Sequence, residues 1–197
     1  MKELATIKLP ATRRHHPGAL WTDAELLSLD GDGQKHELWD GKVVTMCPAG
    51  YEHGDVISVL SHALARVVYE NKLGRVYDGQ TGYRLNLDNC YCPDISFVSR
   101  RRFKLITLSK EKLFHGSHDL AVEVLSPSDS ITKTEQKILN YLAHGTRLVW
   151  MVDTKHRSVR AYHADGSMEL LRGDRYLTGN SVLPGFRLSL GKLFEGI

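Results

Sequence analysis

The stretch RLVWMVD, residues 147–153, is apolar at nearly every position, and it constrains the fold more than any other part of the chain. A strand with one wet face alternates polar and apolar side chains. An almost unbroken apolar run belongs to a central strand covered on both faces. Covering both faces of a sheet calls for an α/β architecture, here with a mixed sheet. A second apolar run, LAVEVL at 120–125, carries Glu123 in its middle. An isolated carboxylate in an apolar interior is costly unless paired or metal-bound. Either Glu123 has partners or it stays neutral.

The remaining pattern fits one α/β domain over residues 21–197, preceded by a basic arm over residues 1–20 that contains Arg13, Arg14, His15 and His16. Thr22 and Glu25 form a capping-box pair that opens a short helix. HELWDGKVVTM reads as a hairpin turning at Asp40-Gly41. Val56, Val59, Leu60, Ala63, Leu64 and Val67 make one apolar stripe on a helix from Glu52 to about Asn71. Short strands follow in GRVYDG, TGYRLNL and CPDISFVS, then a polar, basic connection over 100–118. Thr132 and Glu135 suggest a second capping box, opening a helix that closes at Gly145. SVRAYHADGSMELL is a hairpin turning at Asp165-Gly166, and short C-terminal strands are expected to complete the sheet.

Composition excludes several classes. No apolar run approaches the roughly 20 residues of a membrane-spanning helix, and the N-terminus lacks the apolar core of a signal peptide. A cytoplasmic protein with no membrane partner is expected. Three cysteines, Cys47, Cys90 and Cys92, make neither a disulfide framework nor a zinc-ligand pattern. A net charge of +3 permits nucleic acid as a partner without requiring it.

Strand alternation puts Glu123 on one face with Ala121 and Leu125, while Val122 and Val124 point the other way. In PDISFV, Asp94 opens an equally apolar strand. Two such carboxylates on neighbouring strands can share a divalent cation, and Mg²⁺ favours carboxylate and backbone oxygens plus water. Each alone has a plainer reading: Glu123 as a buried ion-pair partner, Asp94 as the end of a turn. A cationic partner is available on the helix that follows. In KTEQKILNYL, Lys137 and Tyr141 lie four apart beside the core-facing Ile138 and Leu142. Lys133, in the first turn, is nearer solvent.

WTDAELLSL, HELWDGKVVTM, His53, PDISFV, AVEVLSPSD, Lys137 with Tyr141, and LVWMVD occur in that order. This ordered set resembles the Uma-two endonuclease family, a branch of the PD-(D/E)XK nuclease superfamily, over about residues 20–195. The resemblance implies a restriction-endonuclease-like fold, a mixed central sheet flanked by helices. It implies that Asp94, Glu123 and the backbone carbonyl of Val124 bind Mg²⁺ or Mn²⁺ in an endonuclease that hydrolyses DNA. The superfamily lysine would stand two residues after Glu123, where this chain has Leu125. The resemblance implies that its role passes to Lys137 on the following helix. A homodimer is expected too, since cutting both strands of a duplex usually takes two active sites.

Other residues keep two readings. Glu37, in the shared hairpin segment, either supports the metal site or is a strand-surface glutamate. His53 either reaches phosphate or an active-site water, or merely lies in a cap. Arg100, Arg101, Arg102 and Lys104 either hold a nucleic-acid backbone or form a solvated loop. Two competing functions stand beside the endonuclease: a catalytically weak module of the same fold that binds nucleic acid or protein, and a hydrolase of other phosphate esters.

Overall fold

The computed structural model describes residues 20–29, 34–126 and 130–197. The expected basic arm, apart from Leu20, lies outside them. Helix α1 (Asp23–Leu27) is opened by the expected capping box, with Thr22 and Glu25 satisfying each other's free amides. Strands β1 (Lys35–Trp39) and β2 (Lys42–Met46) form the hairpin. Its turn residues Asp40 and Gly41 both have positive φ, 47° and 74°, as a two-residue turn matched to strand twist requires. Helix α2 (Tyr51–Glu70) buries Val56, Leu60, Leu64 and Val68, the heart of the predicted stripe shifted slightly around the helix.

Strands β3 (Gly74–Asp78), β4 (Tyr83–Arg84), β5 (Cys90–Tyr91) and β6 (Ile95–Ser99) follow. The connection over 100–118 is more ordered than its polarity suggested. It holds α3 (Arg100–Phe103), β7 (Thr107–Leu108) and β8 (Phe114–His115). Next come β9 (Leu120–Leu125), α4 (Ile131–Ala143), β10 (Leu148–Asp153), β11 (Ser158–His163) and β12 (Met168–Arg172). The chain ends in β13 (Tyr176–Thr178), β14 (Arg187–Ser189) and α5 (Leu190–Leu193).

The strands build two six-stranded sheets. The central mixed sheet has the order β12-β11-β10-β9-β6-β3, with β9 parallel to β10 and antiparallel to β6. Every residue of β9 and of β10 is buried, as apolar strands covered on both faces must be. Along one face, Val122, Val124, Trp150 and Val152 pack under α2 and the C-terminal segment. Across the other, Ala121, Leu125, Val149 and Met151 meet Ile138 and Tyr141 of α4 and Tyr91 of the second sheet. That second sheet, β2-β1-β5-β4-β8-β7, carries the hairpin over α4. Among the described residues no helix is long and apolar enough to cross a membrane.

Two expectations change. The second capping box does not form: α4 begins at Ile131 after Ser130, two residues too early for Thr132 to be the cap. At the far end Gly145, with φ 94°, terminates the helix as expected. The C-terminal strands do not extend the central sheet. β13 and β14 pair with each other as a separate ribbon and contribute Leu177 and Leu188 to the core beside α2, where α5 adds Leu190 and Leu193.

Candidate active site

Register brings the two acids together. Ile95 lies opposite Val122 and Ser96 opposite Ala121, so one step further along the antiparallel pair sets Asp94 beside Glu123. The contact is held by the Val124 amide, which donates to Asp94 Oδ2 at 2.8 Å. His53 Nε2, from the first turns of α2, lies 3.4 Å from the same oxygen, and Lys35 Nζ lies 3.9 Å from Oδ1. Burial would raise the Asp94 carboxyl. The His53, Lys35 and Val124 contacts outweigh it and hold the group below the usual carboxylate range.

Glu123 occupies a different environment. Lys137 Nζ lies 3.0 Å from each of its oxygens, and the Tyr141 hydroxyl donates to Oε1 at 2.9 Å. Lys137 and Tyr141 are one helical turn apart on the buried face of α4, so both reach back to the preceding strand. The same amine donates to Glu37 Oε1 at 2.9 Å. Glu37 is fully buried, and it also accepts from the Cys92 amide at 2.9 Å and the Trp39 indole at 2.7 Å. Burial pushes the Glu123 carboxyl above the usual range. Lys137 pulls it back, while Asp94 and Glu37 add to the push. Burial alone would lower the Lys137 amine; Glu123, Glu37 and Asp94 hold it above the ordinary lysine range instead.

These groups floor a cleft of about 1040 Å³ between β2, the start of α2 and the start of α4. Asp94, Glu123, Val124 and Lys137 all line it, with exposed Lys133 at its rim. The oxygen donors present, two carboxylates and main chain, are of the hard type that Mg²⁺ accepts. Among the described residues, no group of three or more His, Cys, Asp and Glu is arranged to hold a metal by itself.

The basic run lies elsewhere. Asp94 immediately precedes β6 and Arg100 immediately follows it, which separates them by roughly 20 Å at the strand rise. Arg102 is taken up by the fold: its guanidinium meets Asp119 at 3.0 Å and donates to the Gly145 carbonyl at 2.6 Å. Arg100, Arg101 and Lys104 are exposed on that distant end. Sequence reasoning missed Lys35 and Trp39. Alternation along KHELW places Lys35, Glu37 and Trp39 on one face, a signal that could have found both.

The Uma2 family model, described as "Putative restriction endonuclease", matches residues 21–191. A solved structure, a "putative nuclease belonging to DUF820" from Anabaena variabilis, superposes with a TM-score of 0.70 at 25% identity. The match covers 81% of this chain and 89% of that one. No curated protein matches the chain. With most of its length, residues 21–191, accounted for by that family model, this chain belongs to the Uma2 family.

Proposed function

We propose that the protein is a metal-dependent endonuclease that hydrolyses phosphodiester bonds of DNA. Asp94, Glu123 and the Val124 backbone carbonyl would hold Mg²⁺ or Mn²⁺. The donor chemistry fits: three carboxylates, Asp94, Glu123 and Glu37, converge around one buried amine, leaving negative charge that a divalent cation would neutralise. When bound, the ion supplies Lewis-acid polarisation of the phosphate and a more acidic water. Water adds to phosphorus and the P–O3′ bond breaks, giving a 5′-phosphate and a 3′-hydroxyl.

The protein's own groups have separate tasks. His53 and Lys35 keep Asp94 ionised. Tyr141 orients Glu123 by donating to it. Lys137, held cationic by its carboxylates, cannot accept a proton near neutral pH. It acts as a fixed positive donor toward the attacking water or the charge developing on phosphate. Glu37, fixed by Trp39 and Cys92, holds that amine in place. Lys133, at the cleft rim, would meet the nucleic-acid backbone. A two-fold dimer would provide the second site needed to cut both strands of a duplex.

The observation that carries this reading is Lys137 bridging Glu123 and Glu37 next to Asp94 at the floor of the cleft. Incubation with plasmid and single-stranded DNA, in Mg²⁺ or Mn²⁺, tests it. Nicking that disappears in Asp94→Asn is expected. Intact DNA with turnover of small phosphodiesters would move the protein to another hydrolase class. Binding without turnover of any substrate would make it a non-catalytic module.

A further inference from the structure

A second cavity, sharing no lining residue with the cleft, lies between the middle of α2 and the β13–β14 ribbon and has a volume of about 350 Å³. Val59, Ala63 and Val67 recur at helical spacing along its helix wall, and buried Phe186 and Leu188 form the facing wall. Its ionisable groups are all basic. His62 and Arg66 stand one turn apart on α2; Arg187 and Lys192 stand opposite, and all four are exposed. No carboxylate lines the cavity, and among the described residues none of the four basic side chains is ion-paired. The Arg187 guanidinium is instead set over the Tyr176 ring at 3.7 Å.

An apolar floor bordered by the cations Arg66, Arg187 and Lys192, none of them ion-paired among the described residues, selects for a ligand with an apolar body and an anionic head. The volume is at the lower end for small-molecule sites and far too small for a duplex. We propose that this groove binds a small organic anion: a carboxylate, sulfonate or phosphate head held between Arg66 and Arg187, with an apolar body against Val59, Ala63, Phe186 and Leu188. The inference is independent of the phosphodiester chemistry assigned to the cleft.

Titration of the full chain with the anionic fluorophore 8-anilinonaphthalene-1-sulfonate tests it. Saturable binding at one site per chain is expected, with competition by octanoate. Arg66→Glu with Arg187→Glu, both at exposed positions, should weaken binding about tenfold or more, the scale of losing charge-assisted contacts. Ala63→Trp, which fills the groove from the helix side, should abolish it while leaving the far-ultraviolet circular dichroism unchanged. Binding that survives both changes overturns the proposal. Inorganic phosphate competing as well as octanoate would overturn the apolar half of the site. Displacement by a short DNA duplex in preference to octanoate would make the groove a nucleic-acid contact instead.

Discussion

The two faces of strand β9 divide the molecule's work. On one, Val122 and Val124 join Trp150, Val152 and the buried stripe of α2 in a core made of hydrocarbon. On the other, Ala121 and Leu125 flank Glu123, and the helix packed there offers Lys137 and Tyr141 alongside Ile138. Both faces are buried, the second opening where Glu123 meets the cleft. The first gains stability in proportion to the apolar area it buries. The second places a buried charged cluster where a purely apolar packing would be at least as stable. Such a cluster makes physical sense where chemistry needs a preorganised charge beside a cleft.

The comparison can be broken first at the acids. Asp94→Asn or Glu123→Gln should abolish cleavage and divalent-ion binding and leave the fold intact. Calorimetric titration with Mn²⁺ checks the binding, and unchanged affinity in both variants would remove the metal site. On the apolar face the opposite signature is expected. Trp150→Ala should cost about 3–5 kcal/mol of stability in urea unfolding, with cleavage per folded molecule nearly preserved.

Lys137→Ala should lower turnover by about 100-fold or more, with little change in Mn²⁺ affinity because the amine is not a ligand. A wild-type rate in this variant together with a dead Lys133→Ala would exchange the roles of the two lysines.

A smaller effect concerns His118, which lies on the α4 side, 4.6 Å from the Tyr141 ring and fully buried. Burial, aided by Arg102 and Lys137, pushes its imidazole down to about 3. Unfolding frees it to protonate near its ordinary value of 6.5. The unfolded chain thus binds more protons between those values. The histidine's contribution is complete above 6.5 and is lost as pH falls toward 3. His118→Gln should flatten the stability profile across that window by up to about 1.4 kcal/mol per pH unit, read from urea unfolding at a series of pH values. The smallest change is expected of Lys133→Ala. Its turnover should stay within roughly threefold of wild type, with steeper inhibition by salt if the side chain meets the DNA backbone.

Much of the site was legible because strands and helices have fixed periods. Glu123 stood out as a charge in an apolar strand, and Lys137 as an amine on the edge of an apolar helical face. Their ordered context carried the family resemblance. Glu37 was seen but kept two readings; its burial under three donors depends on the second sheet folding over α4, a contact across 100 residues. Lys35 was overlooked, although its alternation with Glu37 was visible. Arg102 looked like its basic neighbours, and only packing against Asp119 and Gly145 distinguishes it.

By itself, then, the sequence determined the apolar central strands, the helix stripes, the hairpin turn and the charge of Glu123 inside an apolar strand, since each follows from local period, turn chemistry or residue type. Tertiary structure alone decided three things. It set Asp94 beside Glu123 through the β6–β9 register. It put Lys137 between two carboxylates from different sheets. It also closed the C-terminal ribbon against α2. Register and sheet-to-sheet packing join residues that are distant in the chain, and no local pattern records which of the available partners will meet.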